Sequence, residues 1–143
     1  RSSAAARTGA NGLVCKGVKR GGPHQSVSAK PGRYAAIAWV RVPEEVKGLG
    51  LIEISMDFRN ADEKRLSVAS TSAPVNAVKG SWQPIHLVLD VPEQVEGEKV
   101  AKLLFLVFLR GFDADDVVHV DDAALFRLGD VATPVKADEK KEF

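Results

Sequence analysis

The sequence predicts an all-β domain, a two-sheet antiparallel sandwich of about eight strands. Three observations carry this. Short runs of β-branched and apolar residues recur between Gly, Pro and Asn/Asp turn signals, several of them alternate with period two, and helical periodicity is nearly absent. Connections are hairpin-sized and none is long enough for a crossover helix, which disfavours a parallel sheet. The pattern by itself admits either a jelly roll or an immunoglobulin-like sandwich.

The elements follow in order. Gly12 to Gly17 reads as a strand, and Lys19-Arg20-Gly21-Gly22-Pro23 as a hairpin-type turn into His24 to Ala29, because Gly admits positive φ and Pro sets direction. After Pro31-Gly32, Arg33 to Val42 alternates, with Tyr34, Ala36, Ala38, Val40 and Val42 on one side and Ala35, Ile37, Trp39 and Arg41 on the other. Beyond the loop Glu44 to Gly50, Ile52, Ile54, Met56 and Phe58 form a core row against a wet row of Glu53, Ser55, Asp57 and Arg59. Asn60 to Lys64 is a polar hairpin loop into Arg65 to Ser70, and Thr71 to Ser81 a long loop. Trp82 to Val91 alternates again, with Ile85, Leu87 and Leu89 opposite Pro84, His86 and Val88. Val100 to Arg110 is apolar on both faces, as expected of a central strand or one lining a groove. Gly111 to Asp116 is an acidic turn, and Val117 to Leu128 the last strand. Arg1 to Thr8 reads as a flexible lead-in, Gly9 to Leu128 as the sandwich, and Gly129 to Phe143, mixed in Lys and Glu, as a flexible tail.

Composition narrows the function. The chain has 143 residues, and its 20 Lys plus Arg against 19 Asp plus Glu leave a net charge of +1. No basic footprint for nucleic acid exists. No apolar run reaches the roughly 18 residues of a membrane span, and Arg1 to Arg7 lacks the apolar core of a signal peptide. The single cysteine, Cys15, reads as a small hydrophobe rather than half of a bridge. Catalysis is not expected. His24, His86 and His119 lie on separate strands without zinc spacing, no nucleophile and base are evident, and Gly21-Gly22 leads into Pro rather than a phosphate-cradling helix.

Five pieces in order carry a family resemblance: Gln25-Ser26-Val27-Ser28-Ala29, Pro31-Gly32-Arg33-Tyr34, Ala38-Trp39-Val40, Gly80-Ser81-Trp82-Gln83, and Val118-His119-Val120-Asp121-Asp122-Ala123-Ala124-Leu125. Over about Gly9 to Leu128 the chain resembles the jelly-roll carbohydrate-binding modules of the galactose-binding-domain-like group that accompany polysaccharide-degrading enzymes. The resemblance implies a non-catalytic, glycan-binding accessory domain of a larger secreted, surface or periplasmic protein, with other domains of that protein as partners. It also implies a sugar-binding Trp on the strand of Trp39, and a structural Ca²⁺ helped by the Asp of the last strand, here Asp121 and Asp122. The family's opening strand, with its Asn…Phe-Glu element, has no counterpart in the sequence.

The residues read alongside this as follows. Trp39, opposite the Tyr34 row with Arg41, is either a sugar platform or core. Glu53, Asp57 and His86 supply hydroxyl-binding groups if their strands join the same sheet. Asp121 and Asp122 are either calcium ligands or a backbone cap beside a solvated carboxylate. Trp82 and Tyr34 read as structural, the Tyr34 hydroxyl finding a partner at the edge. Asp113, Asp115 and Asp116 lack the Gly and distal Glu of an EF-hand. With only 6% aromatic residues, a second role stands beside glycan binding: a structural sandwich mediating inter-domain or subunit assembly, its incomplete sheet exposing an edge for strand addition.

Overall fold

The structure, a computed structural model, describes residues 1–47 and 50–131. It comprises a 3₁₀ turn at Ser3–Ala5 and strands β1 (Leu13–Lys16), β2 (Arg20–Gly21), β3 (His24–Ser28), β4 (Gly32–Arg41), β5 (Leu51–Arg59) and β6 (Arg65–Pro74). A single helical turn α1 (Val75–Val78) follows, then β7 (Gln83–Val91), β8 (Gln94–Val95), β9 (Glu98–Lys99), β10 (Lys102–Arg110) and β11 (Val117–Gly129). One sheet has the order β1-β11-β4-β7. The other has the order β2-β10-β5-β6, with β3 also on β10. All these pairings are antiparallel. β8 and β9 form a separate small hairpin, its turn made by Glu96 and Gly97, both at positive φ.

The period-two rows become the core. Tyr34, Ala36, Ala38 and Val40 of β4 face Ile52, Ile54, Met56 and Phe58 of β5 across the sandwich, joined by Ile85 and Leu89, by Leu103, Val107 and Leu109, and by Val118 and Val120. All are buried. Each large aliphatic so removed from water contributes about 1.5–3 kcal/mol. Phe112, 2% exposed, closes one end against Gly50, where a Cβ would lie 2.7 Å from the ring. Tyr34 closes a turn: its hydroxyl donates to the Lys30 carbonyl at 2.8 Å and accepts the Lys30 N–H at 3.3 Å.

The structure departs from the sequence expectations in four places. β1 and β3 do not form a hairpin. β1 pairs with β11 in one sheet, while β2 and β3 pair with β10 in the other, so Lys19 to Pro23 carries the chain between sheets. Gly22 is essential to that path, because a Cβ there would sit 1.8 Å from the Val107 carbonyl oxygen. β6 runs through Thr71–Pro74, into the expected loop, since Thr71 and Ala73 continue the register with Ile54 and Ile52. β11 extends to Gly129, one residue past the expected boundary. Finally, Arg1–Thr8 does not stand apart from the domain: Ser2 pairs with Gly12, Ala5 is fully buried, and Arg7 reaches the outer face of the first sheet. Gly12 permits this, a Cβ there falling 1.9 Å from the Ala5 carbonyl oxygen. Of the expected tail, residues 132–143 lie outside the described residues.

Candidate functional site

Because the Tyr34 row is buried, Trp39 must point outward from the four-stranded sheet, and it is half-buried there. Cross-strand register sets its neighbours. Trp39 lies opposite Asp121 on β11 and Pro84 on β7, Arg41 opposite His119, and Ile37 opposite His86 and Ala124. Trp39, Arg41 and His86 thus share one face, as the predicted site requires.

Glu53 and Asp57 do not join them. Their strand, β5, belongs to the other sheet, and their row points away on the far side of the core. Nor is that row wet throughout. Ser55 and Asp57 are each only 5% exposed, lying between the longer Leu104 and Leu106 of β10 and Val68 of β6. Asp57 is held by Arg59 Nη2 at 3.0 Å.

Asp121 and Asp122 also differ from the expected ion site. Asp121 accepts N–H bonds from Arg7 at 2.7 Å, Thr8 at 3.3 Å and Asp122 at 2.8 Å. Burial raises its pKa, but these three N–H groups and the Arg7 charge outweigh that and hold the carboxyl below its ordinary value. Asp122, at φ +47°, accepts Arg7 Nη1 at 2.6 Å and the Thr8 hydroxyl at 2.7 Å. Ca²⁺ needs six to eight oxygen ligands, yet among the described residues no group of three or more His, Cys, Asp or Glu is gathered. The pair does not fit a calcium ion as arranged. It anchors the N-terminal segment.

That anchoring places the Arg7 guanidinium 3.5 Å from the centroid of the Trp39 ring, a cation–π contact. Farther along the face, Arg41 donates through Nη2 to His119 Nδ1 at 3.0 Å and lies 5.7 Å from the Trp82 ring centroid, while Trp82 and His119 are 6.4 Å apart. Arginine can only donate, so Nδ1 is the acceptor and His119 is the neutral Nε2–H tautomer. Burial first, and the Arg41 charge second, push its pKa down, against a smaller upward pull from Glu45. Beside this cluster lies a cavity of about 390 Å³ lined by Arg41, Glu44, Glu45 and His119. The Arg41 Nε is buried without a partner, a donor left free.

The face therefore carries two indoles, Trp39 and Trp82, with Arg41 and His119 near Trp82 and His86 exposed at its flank. Sequence reasoning gives Trp82 a structural role and His119 no site role; the structure places both beside Arg41. Their parity held the signal, since Trp82 shares the outward row of Pro84 and His86, and His119 that of Asp121.

No protein-family model matches the sequence, and no curated protein sequence matches it. Solved structures do match. A "Family 16 Carbohydrate Binding Module-2" aligns with TM-score 0.62 and 16% identity, over 87% of this chain and 82% of that one. TmCBM61, solved with β-1,4-galactotriose, aligns with TM-score 0.59 and 18% identity over 87% and 76% of the two chains. The CBM22-1 xylan-binding domain of Paenibacillus barcinonensis Xyn10C aligns with TM-score 0.57 and 18% identity over 89% and 78%. The chain has the jelly-roll fold of these carbohydrate-binding modules. Fold likeness alone does not transfer a ligand, so function is argued from the face itself.

Proposed function

We propose that the protein is a non-catalytic carbohydrate-binding module that grips a neutral glycan on the outer face of its four-stranded sheet and so places an attached protein on a polysaccharide. The observation that carries this reading is the grouping of Trp39 and Trp82 with Arg41, His86 and His119 on one face. An indole face stacks on the C–H face of a pyranose, and neighbouring fork and ring N–H donors meet its hydroxyls. The carboxylates of Glu44 and Glu45, which line the cavity beside Arg41, add acceptors. The near-zero net charge suits an uncharged polymer.

In the described conformation Arg7 occupies the stacking position over Trp39. Sugar stacking there requires Arg7 to swing aside, so the N-terminal segment competes with the ligand. An extracellular setting follows from where polysaccharides are found; in the structure itself, no helix among the described residues is long and apolar enough to cross a membrane. The test is titration of the whole chain against xylan, β-1,4-galactan and a broad glycan array, with Trp39→Ala alongside. Binding by the wild type that the variant loses supports the reading. A folded wild type that binds no glycan overturns it.

A further inference from the structure

β11 is paired unevenly. Along one edge it pairs with β4 from His119 to Gly129, but along the other it carries β1 only over Val117–Val120, and among the described residues no strand pairs with Asp121–Gly129 on that side. A register shift between Asp121 and Ala124 separates the two halves of the strand. Beyond that shift a row of backbone N–H and C=O groups faces outward without a ladder partner.

This open edge borders a cavity. Between the β1/β11 edge of one sheet and the β3/β10 edge of the other lies a space of about 390 Å³, lined among others by Leu13, Val27, Phe105, Val120, Ala123 and Leu125. No Lys, Arg, Asp or Glu lines it. On the opposite side of the same stretch, Phe126 is 55% and Leu128 59% exposed. The unpaired backbone runs along Ala123–Leu128, about 20 Å of strand at the usual rise; the groove lies below its first part, Ala123–Leu125, and the exposed apolar Phe126 and Leu128 flank its second.

We infer that this edge is an acceptor for one extended segment of a partner polypeptide, which adds as a strand beside Ala123–Leu128 and inserts alternate apolar side chains into the groove. The occupant is a peptide backbone, because only an extended backbone supplies donors and acceptors at ladder spacing. It is uncharged on its groove-facing positions, because the lining holds no Lys, Arg, Asp or Glu to neutralise a desolvated charge and only His24 and Gln25 as polar side chains. Side chains on its other face lie beside Phe126. β1 pairs with the first part of this edge, and Asn11 and Gly12 leading into it border Asp121–Ala123, so the incoming strand lies beyond them along the second half of β11. The inference is independent of glycan binding.

The experiment is backbone hydrogen exchange on the whole chain with blocked heptapeptides carrying Val, Ile or Phe at alternate positions and Thr between, each beside a copy N-methylated on alternate amides. The expected result is exchange slowed at least tenfold within residues 122–128 by at least one peptide and not by its N-methylated copy. Ala123→Lys, at an exposed position on the groove rim, lowers that peptide's affinity at least tenfold with an unchanged unfolding temperature, whereas Trp39→Ala leaves it unchanged. No protection by any peptide at millimolar concentration overturns the inference. So does equal protection by the N-methylated copies, which indicates a groove for apolar groups alone, and so does peptide-free protection that rises with protein concentration, which indicates self-pairing.

Discussion

Arg7 lies 3.5 Å above the Trp39 ring while its Nη1 holds Asp122 at 2.6 Å. One guanidinium thus ties the N-terminal segment to the last strand and covers the face of the Trp39 ring. With 29% and 31% of the two side chains exposed, the ion pair is partly screened and contributes little by itself. Its position rests more on the burial of Ala5 and the close approach at Gly12.

Releasing that cover should strengthen ligand binding. Arg7→Ala removes the competing stack. Gly12→Ala displaces the Ala5 backbone without touching Trp39. Both are expected to tighten glycan affinity by about three- to tenfold, equivalent to about 0.7–1.4 kcal/mol, measured by isothermal titration. Unchanged binding in both would show that Arg7 does not compete with the ligand, and weaker binding that it assists it.

Face assignment gives a sharper contrast. Trp39→Ala and Trp82→Ala should each weaken glycan binding at least tenfold, since a stacked ring and its neighbouring donors act together. Glu53→Gln, on the outer face of the other sheet, should stay within twofold of wild type. Affinity electrophoresis on polysaccharide gels reads all three variants, and a loss confined to Glu53→Gln would move the site to the opposite sheet.

His119 sets a pH dependence of stability. Its folded pKa is pushed below the ordinary 6.5 by burial and then by Arg41, so the unfolded chain binds the proton more readily. The corresponding stability is fully present above about pH 6.5 and declines as pH falls from there toward the folded pKa. Protonation also removes the acceptor for Arg41. Urea unfolding from pH 8 to pH 5 should show this decline, and His119→Gln should remove that component of the slope. An identical slope in the variant would assign the effect to other groups.

Two packing contacts are open to direct measurement. Gly50→Ala forces a Cβ against the Phe112 ring and should cost about 1–3 kcal/mol of stability as an overpacked core. Tyr34→Phe removes the bond to the Lys30 carbonyl and should cost about 0.5–1.5 kcal/mol. Denaturant midpoints at constant m-value report both.

The sandwich was legible because its strands alternate. The Ile52 row could be assigned to the core from side-chain parity alone, whereas parity left open which row of the preceding strand, that of Tyr34 or that of Trp39, faces inward, and the structure buries the Tyr34 row. The partner sheet of each strand was not legible. Gly21-Gly22-Pro23 has hairpin chemistry, yet β1 pairs with β11 from the far end of the chain, a choice made by core packing rather than by the turn. The same gap separated Glu53 and Asp57 from Trp39, since parity fixes which side of a strand a residue occupies but not which sheet the strand joins. Trp39 and Arg41 could be placed together because they are two apart on one strand. Arg7 could not, since it sits in a Ser/Ala-rich stretch without a period and its role depends on Asp121 and Asp122 lying beside Trp39 in the fold.

The most direct test of the central claim, that the outer face around Trp39 binds glycan, uses the two indole N–H signals of the protein in ¹⁵N-resolved spectra. Trp39→Phe and Trp82→Phe assign them, and the chain is then titrated with xylan and β-1,4-galactan oligosaccharides and further neutral oligosaccharides from the array. The account predicts that at least one sugar shifts the Trp39 signal in a saturable manner, with Trp82 following and the Arg7 Nε–H signal moving as the guanidinium leaves the ring. Indole signals that stay fixed across the whole set, in a protein whose remaining spectrum shows it folded, would contradict it.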